Sequence, residues 1–333
     1  MNLNHILLFL AVISPLVVFA RAWRPRQPYR GWCIAALVVL AVTAVAWILA
    51  PSAAGYIGGL AWVALLFLPA IGLRKMTELG AQGNYKAARK LATALQVLHP
   101  TMELREQVRL FRYLESHQNH QVAFGSVPVG QQVRHSQFRS APGVFILILL
   151  NAAAFLFEIS VGDWNDPEVL HRIGALEPYA VVVQGEYWRL FTALFLHGGL
   201  THLLFNLFAL YVLGPPLERS IGTVRFVVCY LVSGLASSAG VVGLTVIGLV
   251  QVAQLVGASG SIMGIVGAWA GFLVRHRHVP QAKQRLGNVV MIVVIQIAFD
   301  LSTPQVSMAA HLCGLVAGFC LGLILSPRAA AGR

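Results

Sequence analysis

Long apolar runs dominate the chain, and polar segments separate them. Because about 20 apolar residues in a helix span a hydrocarbon core of about 30 Å, each run predicts a membrane helix. The first run is short, but Met1 to Asn4 lack the positive charge of a secretory signal peptide, so we interpret it as a membrane helix. The nine predicted helices are 5–20, 32–50, 55–73, 144–159, 191–213, 223–246, 258–274, 286–302 and 307–325.

A polar stretch of about 70 residues separates the third apolar run from the fourth. Apolar residues recur in it at helical spacing in two segments, which predicts two amphipathic helices joined as a hairpin. The first resembles the second helix of a tetratricopeptide unit, and a plain helical hairpin is the alternative. Residues 117–142 predict a polar linker. The predicted inward faces are Tyr85, Ala88, Leu91, Leu95 and Leu98, then Leu104, Val108, Phe111 and Leu114.

These patterns predict an all-α polytopic membrane protein in four parts. Residues 1–73 form an N-terminal three-helix membrane module, and 74–142 form a cytosolic helical hairpin with its linker. Residues 143–326 form a six-helix core, and 327–333 form a cytosolic tail. The first module has almost no polar residues at membrane depth, whereas four helices of the core do. Because such residues normally face a bundle interior or a cavity, we expect the functional site in the core.

Composition and charge agree with this interpretation and add an orientation. Of 333 residues, 57% are hydrophobic and 11% are charged, and the mean hydropathy is +0.72. If residue 1 lies outside, 22 of the 24 Lys and Arg lie on the inner side, and only Arg172 and Arg189 do not. Because cytoplasmic loops are enriched in Lys and Arg, we predict a cytoplasmic C-terminus in a bacterial inner membrane. The net charge of +12 is thus an orientation signal, and a nucleic-acid partner has no support.

Five polar residues at membrane depth are candidates for chemistry. Ser259 lies 16 residues before Arg275, or about 24 Å from the inner edge of its helix at about 1.5 Å per residue. His311 lies 15 residues before Ser326, or about 22 Å by the same rise. The two side chains are therefore level, beneath the outer surface, where water reaches them only through a cavity. The five candidates are His197, His202, Asn206, Ser259 and His311.

Glycine stripes run beside Ser259 and His311 and suit close helix packing. Because no Asp or Glu lies on the apolar stretch of either helix, we expect a Ser–His dyad whose histidine is oriented by packing and not by a carboxylate. Ser259 begins its helix, so its backbone N–H is available to an oxyanion together with the side chains of His202 and Asn206. The stripes are Gly257, Gly260, Gly264, Gly267 and Gly271, and Gly314, Gly318 and Gly322.

Other interpretations of these residues stay open at this point. His197 is more simply a structural histidine, and His202 and Asn206 could bond neighbouring helices. Two histidines with Asp300 form no metal-binding spacing, so we predict no metal site. A transporter would require charged residues along a path through the bilayer. Cys313 as a nucleophile would face away from His311. All four cysteines are predicted to be small buried apolar residues: Cys33, Cys229, Cys313 and Cys320.

Residues from about 144 to 325 resemble the rhomboid family of intramembrane serine proteases. The resemblance rests on five motifs in order: Trp188-Arg189; His197 to Asn206; Gly214 through Glu218-Arg219 to Gly222; Gly257-Ala258-Ser259-Gly260; and Ala310 to Gly314. It implies that Ser259 is the nucleophile and that His311 is the general base and then the acid. It implies the oxyanion donors His202, Asn206 and the Ser259 amide. Substrates would be single-pass membrane proteins cut near the outer end of their helix, without a cofactor.

Two positions depart from the family pattern. Met263 stands where many members have an aromatic residue that stacks on the histidine, and Cys313 replaces a residue that is often glycine. We expect the first to leave the imidazole to softer packing and the second to loosen the contact between the helices of Ser259 and His311. A non-proteolytic rhomboid-like protein that binds membrane clients is the alternative function, with the hairpin as the candidate surface for a protein partner.

Overall fold

A computed structural model describes residues 3–22, 30–98, 101–123, 141–303 and 307–325. The chain divides into two compact units, Asn2–Val133 and Arg134–Arg333. The helices of the first unit are α1 Leu3–Ala22, α2 Arg30–Leu49, α3 Ala54–Trp62, α4 Leu68–Ala81, α5 Tyr85–Leu98 and α6 Met102–Ala123. Those of the second unit are α7 Pro142–Val161, α8 Pro167–Ile173, α9 Pro178–Val182, α10 Arg189–Thr192, α11 Leu200–Ile221, α12 Thr223–Val246, α13 Ser259–Arg275, α14 Ala282–Ser302 and α15 Met308–Leu325.

The prediction of an all-α polytopic membrane protein is confirmed. Within the described ranges, eight helices are long and apolar enough to cross a membrane, and α13, with 17 residues, is a shorter apolar ninth. The predicted helix 191–213 is wrong in its bounds, because α11 begins at Leu200 and ends at Ile221. Gly199 has a φ of 117°, which other residues rarely adopt, and it precedes the first turn of α11.

The third membrane helix of the first unit does not end where the polar stretch begins. A 3₁₀ turn, α3, a π-helical segment at Val63–Phe67 and α4 form one run of 31 residues, Pro51–Ala81. Helix α4 packs on α5, and its Met76 is 3% exposed. The hairpin α5–α6 therefore buries its apolar face on the end of a membrane helix. The buried cluster comprises Met76, Ala88, Ala92, Leu95, Leu104, Val108 and Phe111.

Two predicted boundaries change as a result. Residues 2–133, which make up most of the parts predicted as 1–73 and 74–142, belong to one compact unit, because α4 continues past Arg74 and carries part of the hairpin core. The predicted linker 117–142 is helical as far as Ala123, and its residues 124–140 lie outside the described residues. The predicted tail 327–333 lies outside them as well.

The cysteines differ in their environments. Cys229 is buried, and Cys33 and Cys313 are half-buried. The prediction of a buried side chain is wrong for Cys320, which is exposed. Residues two positions apart on a helix point about 200° apart, so Cys320 faces away from the buried Gly318 and Gly322.

A single buried carboxylate joins three helices of the second unit. Glu218, at the end of α11, is 2% exposed. It accepts hydrogen bonds from the backbone N–H groups of Gly143 at 2.8 Å and Val144 at 2.9 Å, and from the hydroxyl of Thr223 at 2.7 Å. Because the first N–H groups of a helix lack intrahelical partners and favour negative charge, Glu218 stabilises the beginnings of α7 and α12.

The glycine stripes of α13 and α15 face each other. A Cβ atom added at Gly314 would overlap the carbonyl oxygen of Gly260, and one added at Gly318 would overlap that of Gly264. The same holds further along, where Gly322 meets Ala268. The two helices are thus in backbone contact over more than two turns, which only small residues permit.

Candidate active site

Ser259 is the first residue of α13 and follows an extended segment with a fixed path. Leu255 pairs with Leu176, in the segment 162–199 between α7 and α11, through two backbone hydrogen bonds of 2.8 and 2.9 Å. Gly257 has a φ of 130°, and its N–H donates to the carbonyl of Ala193 at 2.9 Å. Because a side chain is strained in this conformation, glycine is required where the chain turns into the helix. The serine is therefore held at a helix start, where the first N–H groups lack intrahelical partners.

His202 and Asn206 lie against this turn from α11, one helical turn apart. A Cβ atom at Gly257 would be 2.7 Å from His202 Cε1, 2.9 Å from His202 Nε2 and 3.7 Å from Asn206 Nδ2. Asn206 is 7% exposed, and its Nδ2 has no hydrogen-bond partner within the described part of the chain. A buried amide donor without an acceptor is costly, so its presence beside Gly257 indicates a site for a ligand oxygen or a water.

A cavity of about 230 Å³ opens beside the serine. At about 30 Å³ per molecule it has room for several waters. Water therefore has room beside the serine. Its wall includes the predicted residues Ser259, His202 and Gly257, and also the hydroxyl-bearing Ser237 and Ser238 of α12.

His311 contacts a carboxylate that the sequence analysis did not assign to it. The imidazole Nδ1 donates to Asp300 Oδ2 at 2.8 Å, and the two side chains are 5% and 1% exposed. Gln296 donates to the other oxygen of Asp300 at 2.8 Å and lies 3.4 Å from His311 Nδ1. An acceptor at Nδ1 fixes the proton there, so Nε2 is left to accept one.

The expectation that His311 is oriented by packing alone is therefore wrong. It rested on the absence of Asp and Glu from the helices of Ser259 and His311, whereas Asp300 and Gln296 belong to α14. A signal was present in the sequence, because the two polar residues lie one turn apart in the stretch 289–301, which is otherwise apolar. Buried polar pairs of this kind in a membrane segment normally have a partner on a neighbouring helix.

Ser259 and His311 lie at the same end of the paired helices. Gly260, in the first turn of α13, contacts Gly314 in the second turn of α15 and lies near the carbonyl of Ala310 in its first turn. The carbonyl of Ala310 accepts from Ser237 Oγ at 2.7 Å, and that hydroxyl lies against Gly260. Among the described residues, however, no hydrogen bond joins the Ser259 hydroxyl to His311. The catalytic dyad thus stays a prediction.

Trp188 and Arg189 hold the segment between α7 and α11 in place. Arg189 is 2% exposed, and it donates to the carbonyls of His171 at 2.7 Å and Ala175 at 3.0 Å. It also pairs with Glu186, and its guanidinium lies 4.8 Å from the centre of the Trp188 ring. The motif therefore holds this segment through contacts with the segment's own backbone.

His197 has a structural environment. It is fully buried, its backbone N–H donates to Glu158 Oε2 at 2.9 Å, and its Nδ1 lies 3.0 Å from the carbonyl of Phe195. Its ring meets the ring of His202 edge to face, with centroids 5.3 Å apart. His197 therefore supports the position of His202.

The two departures from the family pattern also have definite surroundings. Met263 is 5% exposed and belongs to an apolar cluster that includes Val266 and Val289. We expected packing at Met263 to orient the imidazole of His311, whereas the hydrogen bond to Asp300 supplies that orientation. Cys313 lies against α12, where its sulfur would be 2.6 Å from a Cβ atom at Gly240. The expected effect of Cys313 on the pair α13–α15 is thus misplaced, because Gly314 makes that contact.

Comparison with known proteins gives a family for the chain. A model described as the rhomboid domain matches residues 184–328. The putative rhomboid protease YdcA of Bacillus subtilis is 32% identical over 190 residues, which are 56% of this chain and 89% of that protein. This chain belongs to the rhomboid family. The matched region includes Trp188, the segment from His197 to Asn206, Ser259 and His311, so the rhomboid resemblance of the motifs is confirmed.

Further rhomboid relatives cover smaller shares of their own length. The mitochondrial RHOMBOID-like protein 6 of Arabidopsis thaliana is 38% identical over 157 residues, which are 47% of this chain and 49% of that protein. The rhomboid protease GluP of B. subtilis is 34% identical over 186 residues, 53% of this chain and 33% of that protein. This chain thus spans about half of the plant relative and a third of GluP.

Proposed function

We propose that this protein is an intramembrane serine endopeptidase with Ser259 as its nucleophile. The observation that carries the proposal is the arrangement at the start of α13. Ser259 lines a cavity, Asn206 lies against Gly257 with an Nδ2 that has no partner among the described residues, and the helix of His311 packs on that of Ser259 through backbone contacts. Membership of a family that includes intramembrane serine proteases supports the same chemistry.

In this proposal His311 acts first as a base. Its Nε2 takes the proton of the Ser259 hydroxyl while Oγ attacks the scissile carbonyl, and the carbonyl oxygen becomes an oxyanion. The Ser259 N–H, His202 and Asn206 donate hydrogen bonds to that oxyanion. His311 then gives the proton to the leaving amine, and a water from the cavity hydrolyses the acyl-enzyme with the same histidine as base.

Asp300 is a positioning residue in this scheme. Its carboxylate accepts from His311 Nδ1, which holds the neutral imidazole in the tautomer that can accept a proton at Nε2. It also stabilises the imidazolium that forms during attack. A hydrogen bond between serine and histidine that closes only when substrate binds is compatible with this scheme, because catalytic hydrogen bonds are often longer in a free enzyme.

We further propose the orientation and substrate class. With the C-terminus in the cytoplasm of a bacterial inner membrane, the distribution of Lys and Arg follows the positive-inside rule, and Ser259 lies towards the outer surface. Substrates would then be single-pass membrane proteins that are cut near the outer end of their transmembrane segment. A protein partner of the hairpin would have to bind its outer face, because its apolar face is covered by α4.

The test is cleavage of a reporter with one transmembrane segment by the purified full chain. Ser259→Ala should abolish cleavage and labelling by a fluorophosphonate probe. Ser160→Ala is the matched control, because this exposed serine at the end of α7 bonds only the carbonyl of Phe157 in the described structure. Cleavage that survives Ser259→Ala contradicts the assignment. A wild type that binds the reporter but neither cleaves it nor reacts with the probe supports the client-binding alternative.

A further inference from the structure

The hairpin α5–α6 packs on the part of α4 that leaves the membrane. In the helical run that ends with α4, residues 51–73 carry no charged side chain, and Arg74 and Lys75 follow directly. At about 1.5 Å per residue this apolar stretch is about 34 Å long, which is enough for a hydrocarbon core of about 30 Å. Arg74 therefore marks the level of the membrane surface in this unit.

Helix α5 returns towards the membrane. Tyr85, at its start, stacks on Phe111, and a Cβ atom added at Gly80 near the end of α4 would be 2.8 Å from that same ring. At the other end of α5, a Cβ atom added at Gly72 would be 2.6 Å from Leu95. Helices α4 and α5 are therefore antiparallel, and the last turn of α5 is level with the end of the apolar stretch.

Val97 and Met102 form the tip of the hairpin, in the last turn of α5 and the first turn of α6. Measured from the contacts at Leu95 and Phe111, Val97 lies about 6 Å and Met102 about 5 Å to the membrane side of Arg74, at about 1.5 Å per residue. Their exposed fractions are 83% and 68%. Apolar side chains of interfacial helices lie about 5–10 Å into the boundary between headgroups and acyl chains, so the tip lies at a depth that lipid occupies.

The exposed side chains of the hairpin change character at the same level. One exposed stripe of α5, read towards the membrane, comprises Lys86, Lys90, Thr93 and Val97. It begins with charged residues and ends with an apolar one. On α6 the exposed Arg105 is level with Arg74, whereas Glu103 points about 100° away from Met102 around the helix. An apolar tip with arginines at the level of the headgroups matches a bilayer surface.

We propose that the tip of the hairpin inserts into the bilayer at the surface where α4 leaves it. Val97 and Met102 lie among the upper parts of the acyl chains, and Arg74 and Arg105 lie at the level of the lipid phosphates, with which guanidinium groups form strong hydrogen bonds. The occupant is lipid and not a protein, because the membrane helix that carries the hairpin places the tip beneath the surface. The hairpin is then attached to the membrane at its tip as well as through α4.

Tryptophan in the tip would report its surroundings directly. The full chain is placed in liposomes with phosphatidylcholine that is brominated on the acyl chain near the headgroup. Bromine quenches a tryptophan that it touches, and subtraction of the wild type removes the signal of the seven native tryptophans. Val97→Trp and Met102→Trp should be quenched by the brominated lipid and protected from iodide in the water.

Leu110→Trp is the matched control. Leu110 is also an exposed apolar residue of α6, with 48% of its surface accessible. By the same measure it lies about 8 Å to the water side of Arg74, so its tryptophan should be quenched by iodide and not by the lipid. Equal lipid quenching at all three positions would indicate a hairpin that lies flat on the membrane, and it overturns the proposal. Quenching of all three by iodide alone also overturns it.

A second pair of variants tests whether the added tryptophan itself causes insertion. Val97→Asp in the Met102→Trp protein should remove most of the quenching by lipid, because a carboxylate is costly among acyl chains. Leu110→Asp in the same protein should leave the quenching unchanged. Both positions are exposed, so the core of the hairpin stays intact, and circular dichroism verifies the helices. Lipid quenching that persists in the Val97→Asp protein contradicts insertion of the tip.

Discussion

Replacement of Asp300 tests the contact that the sequence alone did not suggest. In Asp300→Ala, His311 Nδ1 loses a buried hydrogen bond of 2.8 Å to a carboxylate. A hydrogen bond to a charged group contributes about 1.5–3 kcal/mol. If this energy is available mainly when the imidazole becomes charged, the rate falls by about 10- to 100-fold, at about 1.4 kcal/mol per factor of ten.

Asp300→Asn should be at least as damaging as Asp300→Ala. The new amide can donate to His311 Nδ1, which would move the ring proton to Nε2 and prevent Nε2 from accepting the serine proton. If Asp300 had a purely structural role, Asp300→Asn would be the less damaging variant, because Asn preserves the volume and the hydrogen bond from Gln296. The order of the two variants thus distinguishes positioning from packing.

The measurement is the rate of fluorophosphonate labelling at Ser259, together with kcat and KM for a membrane reporter. Loss of transition-state stabilisation lowers kcat and leaves KM unchanged. Glu168→Gln serves as the control for replacement of a carboxylate by an amide, because Glu168 is exposed in α8. If Asp300→Ala folds and labels within twofold of the wild type, Asp300 does not position His311 and the original expectation of a packed histidine is restored.

Two other substitutions follow from the geometry. Asn206→Ala should lower kcat by about 100-fold or more with little change in KM, because one oxyanion donor is lost. Kinetics with the membrane reporter measure this effect. An unchanged kcat would show that Asn206 is not part of the oxyanion site. Gly318→Ala should destabilise the protein by about 1–3 kcal/mol in a thermal or denaturant unfolding experiment, because its Cβ overlaps the carbonyl of Gly264. Gly243→Ala, whose Cβ would meet nothing within 4 Å, should be neutral or slightly stabilising, and equal effects at both glycines would contradict the close packing.

Features that depend on one segment were predictable from the sequence. The apolar runs predicted every membrane helix, since length and hydrophobicity decide whether a segment spans a membrane. The two hairpin helices follow from their periodicity, and the start of α13 at Ser259 follows from the glycines around it. The bounds of α11 could not be predicted in this way. The helix begins only after Gly199 and continues through Pro215, and both effects depend on neighbouring elements.

Features that depend on which helices are neighbours were not predictable. Asp300 lies 11 residues before His311, and nothing in the spacing says that α14 turns this carboxylate towards α15. The continuation of the third membrane helix to Ala81 was missed for the same reason. Polar residues after Arg74 suggested an exit from the membrane, whereas the helix persists because Met76 packs on the hairpin.

The contact between α13 and α15 has a mechanical consequence. Two helices that touch through their backbones cannot slide or rotate against each other without atomic overlap, so the serine and the histidine move as one body. Asp300 comes from α14, which has few buried residues and no such contact. Because a hydrogen bond of 2.8 Å is lost beyond about 3.5 Å, a shift of α14 by about 1 Å away from α15 would detach the carboxylate from the imidazole. The position of one loosely held helix would then decide whether the base is ready.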